Sequence, residues 1–222
     1  MMINIGLMEV PSVNALLHGC PIIEVLDLYF RPVCLDKVCV PPSLKRLRIG
    51  IKIDAGAYLE IDAPDLVCLV IKKITFDKVF SMYNLHNVVA AYLDVFPRSF
   101  GFVVIPLHNL LNALSGVKHL MLSRSTTKEQ SPILGWAPQP SVPNCLVSHL
   151  NFIQFKGCQG FQDELFFIEY VLQNGLVLET MNVADISMDL QKKYDFLKRL
   201  FNVRKACEMC QVTFDTTVSP KV

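Results

Sequence analysis

The sequence predicts an α/β fold built as a solenoid, a curved parallel sheet with short helices and irregular returns on its convex side. Two observations carry that expectation. An apolar frame with marked positions at one, four and six recurs down the chain, first as Ile23, Leu26, Leu28 and then as Leu44, Leu47, Ile49 and Leu66, Leu69, Ile71. Looser copies follow at Val88/Ala91/Leu93, Val117/Leu120/Leu122, Leu150/Ile153/Phe155 and Leu178/Met181/Val183. The second observation is composition: 52% hydrophobic and 18% charged residues suit strands buried between layers.

The physical reasoning starts from the last two marked positions of each copy, which are two residues apart and so point to one side of a strand while their neighbours point to the other. One such strand cannot cover its own apolar side, so consecutive units must stack into a continuous core. First positions of successive copies fall 21, 22, 22, 29, 33 and 28 residues apart. Leucine-rich repeats run at roughly 20–29, so the expectation is a leucine-rich-repeat solenoid.

Taken in order, Pro11 to Gly19 reads as a short helix entered at Pro11 and stopped at Gly19, so the array begins partway through a unit. The returns from Leu28 to Leu44 and from Ile49 to Leu66 are rich in turn residues and too short for a long helix, with one extended piece at Leu59 and Ile61. Leu107, Leu110, Leu111 and Leu114 lie at helical spacing and Gly116 stops that helix. Residues 124–144 lose periodicity, carry four prolines and hold the single tryptophan, Trp136, which marks a surface link.

Beyond the link, Asp163 to Asn174 predicts an amphipathic helix with a Leu165/Ile168/Leu172 stripe and acidic residues at its positive end. Ser187 to Phe201 predicts another, capped by Ser187, and Cys210 to Phe214 a closing strand. The division expected is 1–123 for the repeat region, 124–144 for the link, 145–215 for a C-terminal unit of parallel βαβ character, and 216–222 for a tail.

Most chemistry is excluded by spacing. The uncharged run 99–117 contains Pro106, His108, Asn109 and Asn112 and makes a poor bilayer helix. The N-terminus lacks the basic and apolar regions of a secretory signal, so the chain is expected in the cytoplasm or nucleus with its eight cysteines reduced. A net charge of +1 gives no case for nucleic acid. Cys207 and Cys210 have the spacing of a zinc or redox pair, but no second knuckle accompanies them, and two thiols around a buried strand is the expectation. His18, His86, His108, His119 and His149 fall in separate units. Ser148-His149 lacks a G-x-S-x-G elbow, and Gly157 to Gly160 lacks the lysine of a phosphate loop. Asp163 and Glu164 are read as complementing the helix dipole, and Lys192-Lys193 and Arg204-Lys205 as solvated pairs. Neither catalytic residue, cofactor nor metal is expected.

What remains is the inner side of the sheet. The residues flanking the buried positions, Asp27, Tyr29, Arg46, Arg48, Lys72, Tyr92, Asp94, His119, Gln154, Lys156 and Asn182, form a polar and aromatic surface suited to a protein partner.

Several segments together resemble a plant family, the F-box proteins that carry leucine-rich repeats and a C-terminal FBD domain. Gly19-Cys-Pro-Ile-Ile-Glu-Val-Leu-Asp-Leu28 is similar to that family's GCPvLEeLdL line, and Pro42 to Ile49 to its sLKrLri. Ile61 to Leu66 resembles idAPnL, Val89 to Val95 vxAxLdV, and Val117 to Ser123 vkxLxLS. Pro143 to Leu150 resembles the lead-in of the FBD domain, continued through Gly160, Asp163 to Leu165, Leu172 to Asn174 and Leu178 to Met181. The resemblance implies a non-enzymatic, protein-binding module of a ubiquitin-ligase adaptor that grips an unknown target. No F-box-like segment precedes the repeats, so direct capture of the Skp adaptor is not expected. A truncated remnant or competitor that binds targets without recruiting a ligase is the alternative.

Overall fold

The computed structural model describes residues 2–8, 10–32, 37–51, 58–75, 80–96, 104–123, 141–184 and 186–215. Its main feature is a nine-stranded parallel sheet made from β1 (Met2–Met8), β2 (Val25–Pro32), β4 (Arg46–Ile51), β6 (Cys68–Thr75), β8 (Ala90–Phe96), β9 (His119–Ser123), β10 (Phe152–Lys156), β11 (Thr180–Ala184) and β12 (Gln211–Asp215). These strands lie side by side in chain order, every pair parallel, and the sheet is open rather than closed into a barrel.

All seven copies of the apolar frame deliver a strand to this sheet, and the hydrogen bonds explain why the frame has its spacing. The first marked residue of a copy sits in a turn just ahead of the strand. There Leu44, Leu66, Val88 and Val117 each donate their backbone N–H three residues back, to Pro41, Ala63, Leu85 and Leu114. The carbonyl of the next residue then accepts two N–H groups from the following unit. The Glu24 carbonyl takes Lys45 and Arg46, Lys45 takes Val67 and Cys68, Val67 takes Val89 and Ala90, and Val89 takes Lys118 and His119. Lys118 and Asn151 continue the series. The turn thus locks to its successor through backbone groups alone, leaving the first marked side chain free to fill the core. The second and third marked side chains follow on the strand: Leu26, Leu28, Leu47, Ile49, Leu69, Ile71, Leu120, Leu122, Ile153 and Phe155 are all essentially inaccessible.

The returns form a second layer, also in chain order. α1 (Val10–His18) packs beside β3 (Lys37–Cys39), which pairs in parallel with β5 (Tyr58–Asp62) and then β7 (Phe80–Tyr83). The layer continues through α2 (Val104–Ala113), α3 (Asn144–Ser148), α4 (Gln162–Asn174) and α5 (Leu190–Phe201). One apolar core runs between the layers from Val13 and Leu17 to Leu200 and Cys210.

Four differences from the sequence reading stand out. β1 precedes α1 and pairs with β2, so the described chain opens on a strand and not partway through a unit. The extended piece expected at Leu59 and Ile61 is β5, but it does not stand alone: β3 in the preceding return and β7 in the following one pair with it in a small parallel sheet, which satisfies the backbone groups of these short segments. The last helix is capped by Asp189, whose carboxylate accepts from Lys192 N–H at 2.8 Å, while Ser187 N–H is already bonded to the Cys158 carbonyl. Gly116 is required by close approach more than by helix termination: a Cβ there would lie 2.0 Å from the His86 carbonyl oxygen. Trp136 and most of the proline-rich link fall outside the described residues.

Candidate protein-binding face

Because side chains alternate along a strand, burying one set fixes the other on the opposite face, and parallel in-register pairing lines that second set up in rows. The central row reads Asp27, Arg48, Val70, Tyr92, Met121, Gln154, Asn182 and Thr213 across eight strands. On its N-terminal side lies Val25, Arg46, Cys68, Ala90, His119, Phe152, Thr180 and Gln211. On the other side Tyr29, Gly50, Lys72 and Asp94 run in register, and Ser123 pairs with Lys156.

All eleven residues singled out from the sequence therefore fall on one face, and none of them is buried. Arg46, Arg48, Lys72, His119 and Tyr29 are exposed; Asp27, Tyr92, Asp94, Gln154, Lys156 and Asn182 are half-buried. Contacts tie some of them together. Arg48 Nη1 donates to Asp27 Oδ2 at 3.4 Å, a long bond between partly solvated groups. Ser123 Oγ donates to Asp94 Oδ1 at 2.6 Å. The His119 and Phe152 rings sit 6.2 Å apart, tilted by 38°. Burial, with Asp94 nearby, pushes the Tyr92 phenol above its ordinary range, so it stays a neutral donor. Asn182 Oδ1 is enclosed with no hydrogen-bond partner among the described residues.

Gly50 was missed from the sequence and shapes the face. It occupies a row position where a side chain would stand, and the Tyr29 ring lies across it, with a Cβ placed there falling 2.4 Å from Tyr29 Cδ2. Tyr29 thereby lies over Gly50, still 41% exposed. Met121 and Phe152 add apolar surface at positions the polar reading passed over. Register pairing was the signal that could have found all three.

Elsewhere the chemistry is quiet. Ser148 Oγ lies 3.0 Å from His149 Nδ1 but donates to the Asn144 carbonyl at 2.8 Å, as a helix-end serine does. Glu164, fully buried, does more than complement a dipole: its Oε2 accepts from the backbone N–H of Gln159 and Phe161, each at 2.9 Å, and faces Cys158 Sγ at 3.4 Å. It thus holds the loop whose Gly157 and Gly160 have positive φ. Lys205 is no solvated lysine, since Nζ donates to the Cys210 carbonyl at 2.8 Å. Cys210 is buried and its thiol pushed up by that burial, while Cys207 is half-buried. An open cleft of about 560 Å³ lies between the loops entering α4 and α5, lined by Gln159, Phe161, Ile186, Ser187, Met188, Asp189 and Lys192. Among the described residues no three His, Cys, Asp or Glu side chains gather as a metal site would need, and no helix is long and apolar enough to cross a membrane.

Comparison with known proteins adds a family to this geometry. Residues 138–183, which span α3, β10, α4 and most of β11, match the family model described as FBD. An F-box/FBD/LRR-repeat protein of Arabidopsis thaliana is 25% identical over 92% of this chain and 60% of its own length. An FBD-associated F-box protein of the same plant is 22% identical over 92% of this chain and 61% of its own. A further F-box/FBD/LRR-repeat protein of that plant is 28% identical over 40% of this chain and 21% of its own. The first two alignments, at 264 and 280 residues, are longer than the 222-residue chain, so these relatives carry residues within the aligned span that have no counterpart here. No solved structure matches. The chain spans about 60% of the length of the first of these relatives, and with an FBD segment at 138–183 it is similar over most of its own length to the plant F-box/FBD/LRR-repeat proteins.

Proposed function

We infer that this chain is a leucine-rich-repeat solenoid whose polar face grips a target protein, as the substrate-recognition part of an F-box-type ubiquitin-ligase adaptor would, and that it performs no chemistry itself. One observation carries the reading: the eleven candidate residues, polar and aromatic together, lie on one face of a sheet whose other face holds the core, and none of them is buried among the described residues. Such mixed surfaces with tyrosine and arginine suit a protein partner. The names of the relatives, F-box/FBD/LRR-repeat protein among them, supply the ligase context. Residues 1–123 would present most of the face and 145–215 its FBD end, in the cytoplasm or nucleus.

The test is affinity capture from plant extract with the chain and with a variant combining Arg48→Ala, Tyr92→Ala and Lys156→Ala. Proteins retained by the first and lost from the second are targets. An identical profile from both would exclude the face as the recognition surface. Reconstituted ubiquitination of such a target, dependent on this chain, separates ligase delivery from competition. Robust one-to-one binding of a purified Skp adaptor would overturn the expectation that this segment does not hold it directly.

A further inference from the structure

The face is not uniform in charge. Arg46 and Arg48 stand two apart on β4, and Lys72 projects from neighbouring β6, where the register with β8 breaks after the Lys72–Asp94 pair. All three are exposed. Asp27 is engaged by Arg48 at 3.4 Å and Asp94 by the Ser123 hydroxyl at 2.6 Å. Among the described residues neither Arg46 nor Lys72 has a carboxylate within ion-pairing distance. Beside these cations the central row turns apolar, as Val70, Tyr92 and Met121 follow Arg48 in register, each half-buried.

We propose that this end of the face takes an extended acidic segment of a partner protein, with an acidic side chain between Arg46, Arg48 and Lys72 and an apolar side chain on the Val70–Tyr92–Met121 surface. The proposal rests on the protein-binding reading above and names the class of segment bound. Charge complementarity selects the acid, since a basic segment would leave three cations facing like charge. The apolar surface beside them selects against a bare polyanion. The spacing follows from strand geometry. Arg48 and Tyr92 are two strands apart, about 10 Å, which an extended segment of polyproline-II form, rising roughly 3.1 Å per residue with every third side chain on the same side, covers in about three residues.

The experiment pans a random-peptide phage library on the immobilised full chain, on an Arg46→Glu/Arg48→Glu double variant and on Tyr92→Ala. All these positions lie off the core, and matching thermal melts establish that each variant is folded. The wild type should select peptides rich in Asp and Glu with an apolar residue about three positions away. Synthetic copies should bind the double variant at least about tenfold more weakly, weaken with added salt, and lose only their apolar preference on Tyr92→Ala. A reproducible neutral or basic consensus that Tyr92→Ala abolishes would overturn the acidic assignment while leaving a protein-binding face. Acidic peptides that bind the double variant undiminished would also overturn it. A wild type that selects nothing would remove both readings. Oligothymidylate bound by the wild type and released by the double variant, without an acidic consensus, would assign the patch to nucleic acid instead.

Discussion

At the scale of single residues, two glycines separate close packing from surface shaping. At Gly116 a methyl group would meet the His86 carbonyl oxygen, a backbone atom fixed by the turn of the preceding unit. At Gly50 the clash would be with the partly exposed Tyr29 ring, a side chain, while the Lys72 carbonyl oxygen lies at an ordinary 3.4 Å. Gly116→Ala should therefore cost about 2–4 kcal/mol by urea denaturation, in the range of severe overpacking, and Gly50→Ala less than about 1 kcal/mol while lifting Tyr29 off the face. Equal costs would show that the two approaches are equally rigid. Cys145 makes a pH prediction. Fully buried, with Sγ 3.4 Å from the Leu111 carbonyl, its thiol is pushed by burial from an ordinary 9.0 up to about 12. The unfolded chain thus gives up this proton first. The contribution is fully present below about pH 9 and is lost as pH rises from there towards about 12. Denaturation midpoints taken at neutral and alkaline pH should fall less steeply for Cys145→Ala than for the natural chain.

At the scale of elements, α4 and α5 are held together by a clasp as well as by grease. Arg199 Nε and Nη2 donate to the two carboxylate oxygens of Glu169, the second bond at 2.9 Å, and the guanidinium lies 5.2 Å from the centre of the Phe166 ring. A planar fork over a ring is something lysine cannot reproduce. Arg199→Lys should cost about 1 kcal/mol and Arg199→Ala about 1–2, since the pair is partly solvated. A double cycle with Glu169→Gln checks it: additive losses would mean that the clasp is ornamental. Spacing along the chain could not pair Arg199 with Glu169, because the two lie thirty residues apart on different helices. Ser187 was taken as a cap for a related reason: Ser187 and Asp189 are both good caps, and only the bond from Lys192 N–H to the Asp189 carboxylate decides between them.

For the whole molecule, the continuous core decides which substitutions matter. Leu26→Ala, Leu47→Ala or Leu69→Ala should each cost about 2–5 kcal/mol, while Arg46→Ala or Tyr92→Ala on the opposite face should cost less than about 1. Comparable losses in the two groups, measured by thermal and urea unfolding, would show the faces to be misassigned. The parallel order, the seven frame-bearing strands and the polar row were legible because periodicity records which side of a strand is buried. Of the outer sheet only β5 was, as the extended piece at Leu59 and Ile61; β3 and β7, three and four residues long, carry too few alternations to register. Neither Gly116 nor Gly50 announced its role, because close approach is a property of two units together. The candidate face was readable as a list of residues, and its charge distribution emerged only once register placed Arg46, Arg48 and Lys72 on adjoining strands.

The doubled acceptor at each turn has one more effect. Since Glu24, Lys45, Val67 and Val89 all offer their successors the same main-chain oxygen in the same way, the backbone join between consecutive units is alike at each of these turns, and side-chain fits such as that at Gly116 are what tell one unit from another. Excising a complete coil would leave a join chemically like the ones it replaced. Adding or removing a whole unit would thus call for no new kind of backbone junction, only for side chains that fit the new neighbours.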